Sequence, residues 1–234
     1  MIQIGGLQKV TLIDFPGRLA ATVFLCGCNF RCPFCYSSEL VVPERIKLQP
    51  KISEKEFFSF LKERQGLLEG VVVCGGEPTL NKDLPEFILQ IKKLGYLVKL
   101  DTNGSNPELL QELVEKKLVD YIAMDIKAPF DIKKYQKNTA SEADLKNIIK
   151  STELIKNSGL DYEFRTTVVP GFHLKEDILK IARDISPAKK YYLQGFRPEK
   201  TIDKKLEKTK PYDQDFLLEI QKAISPFFEV CQVR

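Results

Sequence analysis

Six times along this chain a short strand-like run precedes apolar residues at helical spacing, and that alternation constrains the fold more than any other feature. The runs are 20–25, 70–74, 97–100, 121–124, 162–169 and 191–193. The second, Gly-Val-Val-Val-Cys, is apolar throughout, the mark of a strand buried on both faces. Helical spacing follows at Phe57, Phe58, Leu61, Leu67 and Leu68, with Ser53 as N-cap and Glu56 three residues later. It recurs at 84–94 before Gly95, at 109–118, at 145–155 before Gly159, at 178–185 and at 216–224. Such repeats join through right-handed crossovers, which predicts an α/β fold with a parallel sheet. Six units are too few for a closed eight-stranded barrel. The expectation is a partial (β/α)6 barrel with helices outside, a short N-terminal strand or hairpin extension, and a final strand at 228–233. A flat doubly wound sheet is the alternative.

The 234 residues suit one domain, 1–234, with no internal repeat or linker. Lys and Arg number 36 against 32 Asp and Glu, a net +4 that is too even for a principal role on nucleic acid. The longest apolar stretch, 19–28, is well short of a membrane span. The first residues lack a basic segment followed by an apolar one, so no signal peptide is read and a cytoplasmic location is expected. The one charge-dense segment, 197–211, holds six basic and three acidic residues and reads first as a solvated loop, alternatively as a docking surface.

Six cysteines in a reducing compartment are not expected to form disulfides. Four of them, Cys26, Cys28, Cys32 and Cys35, crowd into ten residues after the first apolar run, while Cys74 and Cys231 stand apart. Cys28, Cys32 and Cys35 form a C-x3-C-x2-C array on one loop. Three thiolates so spaced can hold three irons of a [4Fe–4S] cluster and leave the fourth iron open for chemistry. A zinc knuckle completed by Cys26 is the competing reading; the only histidine, His173, lies far along the chain.

With Phe34 as the aromatic before its last cysteine, this array resembles the signature of radical S-adenosylmethionine (SAM) enzymes. Gly75-Gly76-Glu77-Pro78 resembles their motif after the second strand, and Asp101-Thr102-Asn103-Gly104 and Met124-Asp125-Ile126-Lys127 end the third and fourth. Thr11-Leu12-Ile13-Asp14-Phe15-Pro16-Gly17 resembles the opening of glycyl-radical-enzyme activating proteins, the nearest being those of anaerobic ribonucleoside-triphosphate reductase and then of pyruvate formate-lyase. The resemblance implies a [4Fe–4S] cluster on Cys28, Cys32 and Cys35 and a bound SAM. Gly75 and Gly76 would let backbone carbonyls approach the SAM ammonium, with Glu77 in the same motif. Phe34 and Tyr36 would pack near the adenine, Asp101 and Asn103 would line the site, and Lys127 would face the SAM carboxylate. Gln194 stands roughly where pyruvate formate-lyase activase places a histidine toward that carboxylate.

Asp101, Asp125 and the SAM carboxylate against one Lys127 ammonium would leave excess negative charge in a partly dry pocket. A sodium or potassium ion held by Asp101, Asp125 and Thr102 is therefore expected. Implied partners are a glycyl radical enzyme, offering its C-terminal glycine loop, and a flavodoxin or ferredoxin electron donor. Three departures bear on the partner: Tyr36-Ser37-Ser38 after the array, Cys26 where relatives have glutamine, and Thr139-Ala140 where they have Thr-Gly. A small-molecule radical SAM enzyme like 7-carboxy-7-deazaguanine synthase, or a non-enzymatic iron–sulfur or zinc module, are the other readings.

Overall fold

The computed structural model describes residues 2–234. Eight strands form one sheet whose order follows the chain: β1 (Ile4–Thr11), β2 (Ala20–Leu25), β3 (Gly70–Gly75), β4 (Leu97–Thr102), β5 (Tyr121–Asp125), β6 (Asp161–Val168), β7 (Ala188–Gly195) and β8 (Phe228–Val233). Between them run α1 (Ser38–Val41), α2 (Pro43–Ile46), α3 (Glu54–Glu63), α4 (Leu84–Lys93), α5 (Pro107–Glu115), α6 (Ile132–Thr139), α7 (Leu145–Asn157), α8 (Lys175–Ile185) and α9 (Gln214–Ile224). The α/β class, the strand–helix alternation and the N-terminal hairpin expected from the sequence are all present. Contacts group the chain into two compact units: residues up to Asn29 with Glu39–Thr102 and Asn106–Ile122, and Phe30–Ser38 with Asn103–Ser105 and Ala123–Arg234.

In the first unit β1 pairs antiparallel with β2, from Ile4 opposite Leu25 to Thr11 opposite Ala20. β2, β3 and β4 then run parallel. Val71, Val72 and Val73 of β3 are fully buried, as an unbroken apolar run requires of a strand covered on both faces. Ser53 caps α3: its hydroxyl accepts from Glu56 N–H while the Glu56 carboxylate accepts from Ser53 N–H, the reciprocal box read from the sequence. Phe57 of α3 stacks on Phe87 of α4 at 5.3 Å. That helix is shorter than its pattern suggested. It stops at Glu63, Gly66 turns with φ +76°, and Leu67 is exposed.

In the second unit β6, β7 and β8 are parallel, Phe164 opposite Tyr191 and Ala188 opposite Phe228. α7, α8 and α9 bury Ile148 and Ile155, Ile178 and Ile181, and Ile220 and Ile224. α6 is the helix the apolar pattern did not reveal, because only Tyr135, Asn138 and Thr139 of its eight residues are buried. No helix among the described residues is long and apolar enough to cross a membrane.

Candidate functional site

Ligands of parallel α/β sheets bind beyond the carboxyl ends of the strands, so each candidate residue is best read at its own strand end. In the first unit β2 passes through Cys26 and Gly27, with φ +95° at Gly27, into Cys28. The end of β3 is stitched to this turn. Gly76 N–H donates to Leu25 O at 2.8 Å and Glu77 N–H to Gly27 O at 2.7 Å. A Cβ on Gly75, at φ +127°, would lie 2.2 Å from Leu25 O, and one on Gly76 would lie 2.0 Å from Gly27 O. The two glycines thus have an internal reason to be glycine: they let the β3 turn close against the backbone that leads into Cys28.

Glu77 is almost fully buried, and its Oε1 accepts from Thr79 N–H, Thr79 Oγ1 and Thr102 Oγ1, the last at 2.7 Å. The carboxylate ties the ends of β3 and β4 together. Asp101, also at the end of β4, pairs with Lys99 two residues earlier on the same face. Lys99 is only 1% exposed and lies over the Tyr121 ring. Burying an ammonium this deep is costly unless it is paired, and Asp101 supplies the pair.

In the second unit Cys32 is buried and Cys35 half-buried, and Cys35 N–H donates to Cys32 O, closing a tight turn. Phe34 is packed inside this unit, edge-on to Phe172 at 5.4 Å and to His173 at 6.1 Å. Tyr36 is exposed. Asp203 N–H donates to Pro33 O, and Ser38 Oγ to Lys200 O, which fastens the basic 197–211 segment to the cysteine loop. Asn103 folds back, its Oδ1 accepting from Ser105 N–H, and Gly104 has φ +75° with the Met124 side chain where a Cβ would go. Gln194 lies near the end of β7, in register with Thr167.

The most charged feature follows β5. Asp125 accepts from Lys127 Nζ and from Arg165 Nε, both at 2.8 Å. Arg165 also reaches the buried Glu163 at 3.8 Å, which pairs with Arg234 at 3.3 Å, and the Arg234 guanidinium lies 3.4 Å over the Tyr192 ring. Burial opposes the charge on Asp125, but the Arg165 and Lys127 cations outweigh it and hold its carboxyl well below the usual range. Burial likewise opposes the Lys127 charge; Asp125, with the Cys32 and Cys35 thiols, overrides it and holds the ammonium protonated well above its ordinary value.

The charge argument for an alkali cation counted Lys127 alone; within the first unit Asp101 also pairs with Lys99, and within the second Asp125 also pairs with Arg165. Lys99 and Arg165 were missed because each was read only as part of a strand, with no partner sought for its charge. The signal was present in β6, where Glu163, Arg165 and Thr167 alternate with buried Tyr162, Phe164, Thr166 and Val168.

The donor set suits an iron–sulfur cluster. Three thiols stand on one loop, two of them close enough to the Lys127 ammonium to raise its pKa, and a cation there offsets the negative charge that thiolate ligands carry. Cys26 is turned elsewhere: its Sγ lies where a Cβ on Gly5 would go, inside the hairpin core, and burial raises its pKa. Among the described residues no three His, Cys, Asp or Glu side chains are gathered around a single ion.

Comparison with known proteins agrees with this chemistry. Residues 22–185 match the Radical SAM superfamily. A Methanocaldococcus jannaschii protein, provisionally named a glycyl-radical enzyme activating enzyme, is 31% identical over 99% of this chain and 95% of its own length. A 7-carboxy-7-deazaguanine synthase from Thermococcus kodakarensis is 29% identical over 47% of this chain and 50% of its own. Among solved structures, QueE from Escherichia coli superposes with a TM-score of 0.58 at 16% identity, covering 99% of this chain and 93% of QueE. SuiB from Streptococcus suis reaches 0.67 at 14% identity; 88% of this chain aligns with about half of SuiB, 47%. With the cysteine array, the strand-end motifs and a family match across most of its length, this chain belongs to the radical SAM superfamily.

Proposed function

We propose that this chain is an activating enzyme that installs a radical on a backbone glycine of a partner glycyl radical enzyme. The observation that carries this reading is the end-to-end similarity to the M. jannaschii protein of that provisional name, since a match over 99% of one chain and 95% of the other leaves little room for a different layout. Cys28, Cys32 and Cys35 hold the [4Fe–4S] cluster. When bound, the cluster supplies the electron that splits SAM into methionine and a 5′-deoxyadenosyl radical, which takes hydrogen from the substrate. The chain's own residues bind and orient. Lys127, kept protonated by Asp125, presents its ammonium to the SAM carboxylate. Arg165 holds the far oxygen of Asp125 and so keeps that carboxylate from competing for a new cation. Gln194 is assigned to the same end of SAM. The electron donor is a flavodoxin or ferredoxin.

The test is anaerobic reconstitution followed by reduction in the presence of SAM and a candidate glycyl radical enzyme, read by electron paramagnetic resonance. A doublet from a glycyl radical on the partner supports the assignment. The second reading, a small-molecule enzyme of the 7-carboxy-7-deazaguanine synthase kind, is favoured by the sequence match to a synthase of that name, 29% identical over 47% of this chain. Formation of 7-carboxy-7-deazaguanine without a partner protein would select it.

A further inference from the structure

Asp125 is the last residue of β5, and Ile126 is still held by β6, its N–H donating to Arg165 O and its carbonyl accepting from Thr166 Oγ1. Lys127 lies beyond that ladder. Its backbone is instead gripped by three side chains buried almost completely: Tyr135, Asn138 and His173. Lys127 N–H donates to Tyr135 Oη at 3.3 Å. Lys127 O accepts from Asn138 Nδ2 at 2.8 Å and lies 2.9 Å from His173 Nε2.

The roles of the two histidine nitrogens follow from their neighbours. Val169 N–H, which can only donate, points at Nδ1 at 3.1 Å, so Nδ1 is the bare nitrogen. The single proton of the neutral ring is then on Nε2 and points at the Lys127 carbonyl. The same ring meets Phe34, between Cys32 and Cys35, edge-on at 6.1 Å. Arg31 N–H, on the same loop, donates to Thr139 O at the end of α6. One small cluster therefore braces both the cysteine loop and the backbone of Lys127.

An apolar cluster of this size would hold a turn with fewer demands. Here Asn138 Oδ1 is buried with no partner, the single such atom recorded among the described residues. Asn138 Nδ2 holds Lys127 O at 2.8 Å and lies 3.1 Å from His173 Nε2, so two polar side chains converge on this one carbonyl. We propose that His173, with Asn138, is a positioning residue that fixes the Lys127 backbone so that its ammonium meets bound SAM in register with the cysteine loop. This rests on the reading that Lys127 faces the SAM carboxylate, and outer residues that orient a ligand-binding group commonly tune affinity in this way.

Two substitutions separate positioning from support of the 169–173 turn. His173→Gln places an amide N–H where Nε2 stands and keeps the donor to Lys127 O; His173→Asn places an oxygen near Nδ1 and keeps the acceptor for Val169 N–H. The cluster-loaded protein is titrated with SAM anaerobically, with iron content and melting temperature measured alongside. His173→Leu is expected to weaken SAM binding about tenfold at unchanged iron content. His173→Gln should recover most of that affinity, and His173→Asn should not. Recovery by Asn alone, or wild-type affinity in all three, would overturn the proposal. If His173→Leu does not fold, Asn138→Ala removes the second donor to the same carbonyl and should show the same loss; unchanged SAM affinity there counts against it. Lys127→Met is the control for the underlying reading: unchanged SAM affinity in it refutes the role of Lys127 itself, whatever the His173 variants do.

Discussion

Arg165 Nε donates to Asp125 Oδ1 at 2.8 Å, while the other oxygen of the same carboxylate takes Lys127 Nζ at 2.8 Å. One aspartate thus serves two cations from β6 and from the segment beyond β5, and neither cation is more than a fifth exposed. Removing Arg165 leaves the half-buried carboxylate with Lys127 alone and one oxygen without its donor. Arg165→Met should cost about 2 kcal/mol of stability, below the fully buried range because Asp125 keeps some contact with water. Adding Asp125→Asn should recover part of that loss. A double-mutant cycle by chemical denaturation measures the coupling, and additive losses would mean the pair is not coupled.

Ala140 ends α6 with φ +44°, a left-handed conformation that a side chain resists. It stands where the family pattern has glycine. Ala140→Gly should relieve that strain by about 0.5–1 kcal/mol, net of the extra freedom gained by the unfolded chain, and raise the melting temperature by about 2 °C. An unchanged or lower melting temperature would show that the strain is met elsewhere.

His173 also has a consequence for pH. Burial lowers its pKa against a backbone bond to Lys127 and the nearby Asp177, which favour the charged form, while Lys127 and Lys137 disfavour it. In the unfolded chain it titrates near about 6.5. Above that pH both states are neutral and the stability is complete. As pH falls below it, the unfolded state takes a proton that the folded state refuses, so stability declines, by at most about 1.4 kcal/mol per pH unit. Asp125 and Asp177, held below the usual carboxyl range, lose their contributions only at lower pH. Between about pH 6.5 and 5, His173→Gln should therefore flatten the dependence of stability on pH, measured by denaturant titration. Equal slopes in the two proteins would place the proton elsewhere.

Much of this fold was legible because several of its strands, β3 above all, are apolar runs between helix-spaced segments, and β2 to β7 lie where the reading placed strands. α1 and α2, four residues each, are too short to show a period. α6 was hidden by its exposed lysines, yet it carries Tyr135 and Asn138. The cysteine array and strand-end motifs were visible as patterns. What could not be seen was which polar residues inside strands turn inward: Lys99 changes the charge around Asp101, and Arg165 that around Asp125, and only three-dimensional neighbours reveal such pairings. The glycines of the β3 turn were expected to serve a ligand, and their first duty proves to be contact with the backbone of 25–27.

The cysteine assignment separates cleanly by substitution. Cys28→Ala, Cys32→Ala or Cys35→Ala should each lose the cluster's visible absorbance and all SAM cleavage, since the remaining thiolates cannot hold three irons. Cys26→Ala, in the hairpin core beside Gly5, should retain both and lose only some stability. Loss of iron in Cys26→Ala with retention in any of the other three would reverse the ligand set.

The most direct measurement is isotopic. A candidate glycyl radical enzyme prepared with glycine deuterated at Cα is incubated anaerobically with this chain, SAM and a one-electron reductant, and the 5′-deoxyadenosine formed is weighed by mass spectrometry. Deuterium in the 5′-deoxyadenosine, together with a glycyl signal on the partner, is the expected result. Formation of 5′-deoxyadenosine without deuterium, with no radical on any candidate partner and with label transfer from a deuterated small molecule instead, would contradict the assignment as an activating enzyme.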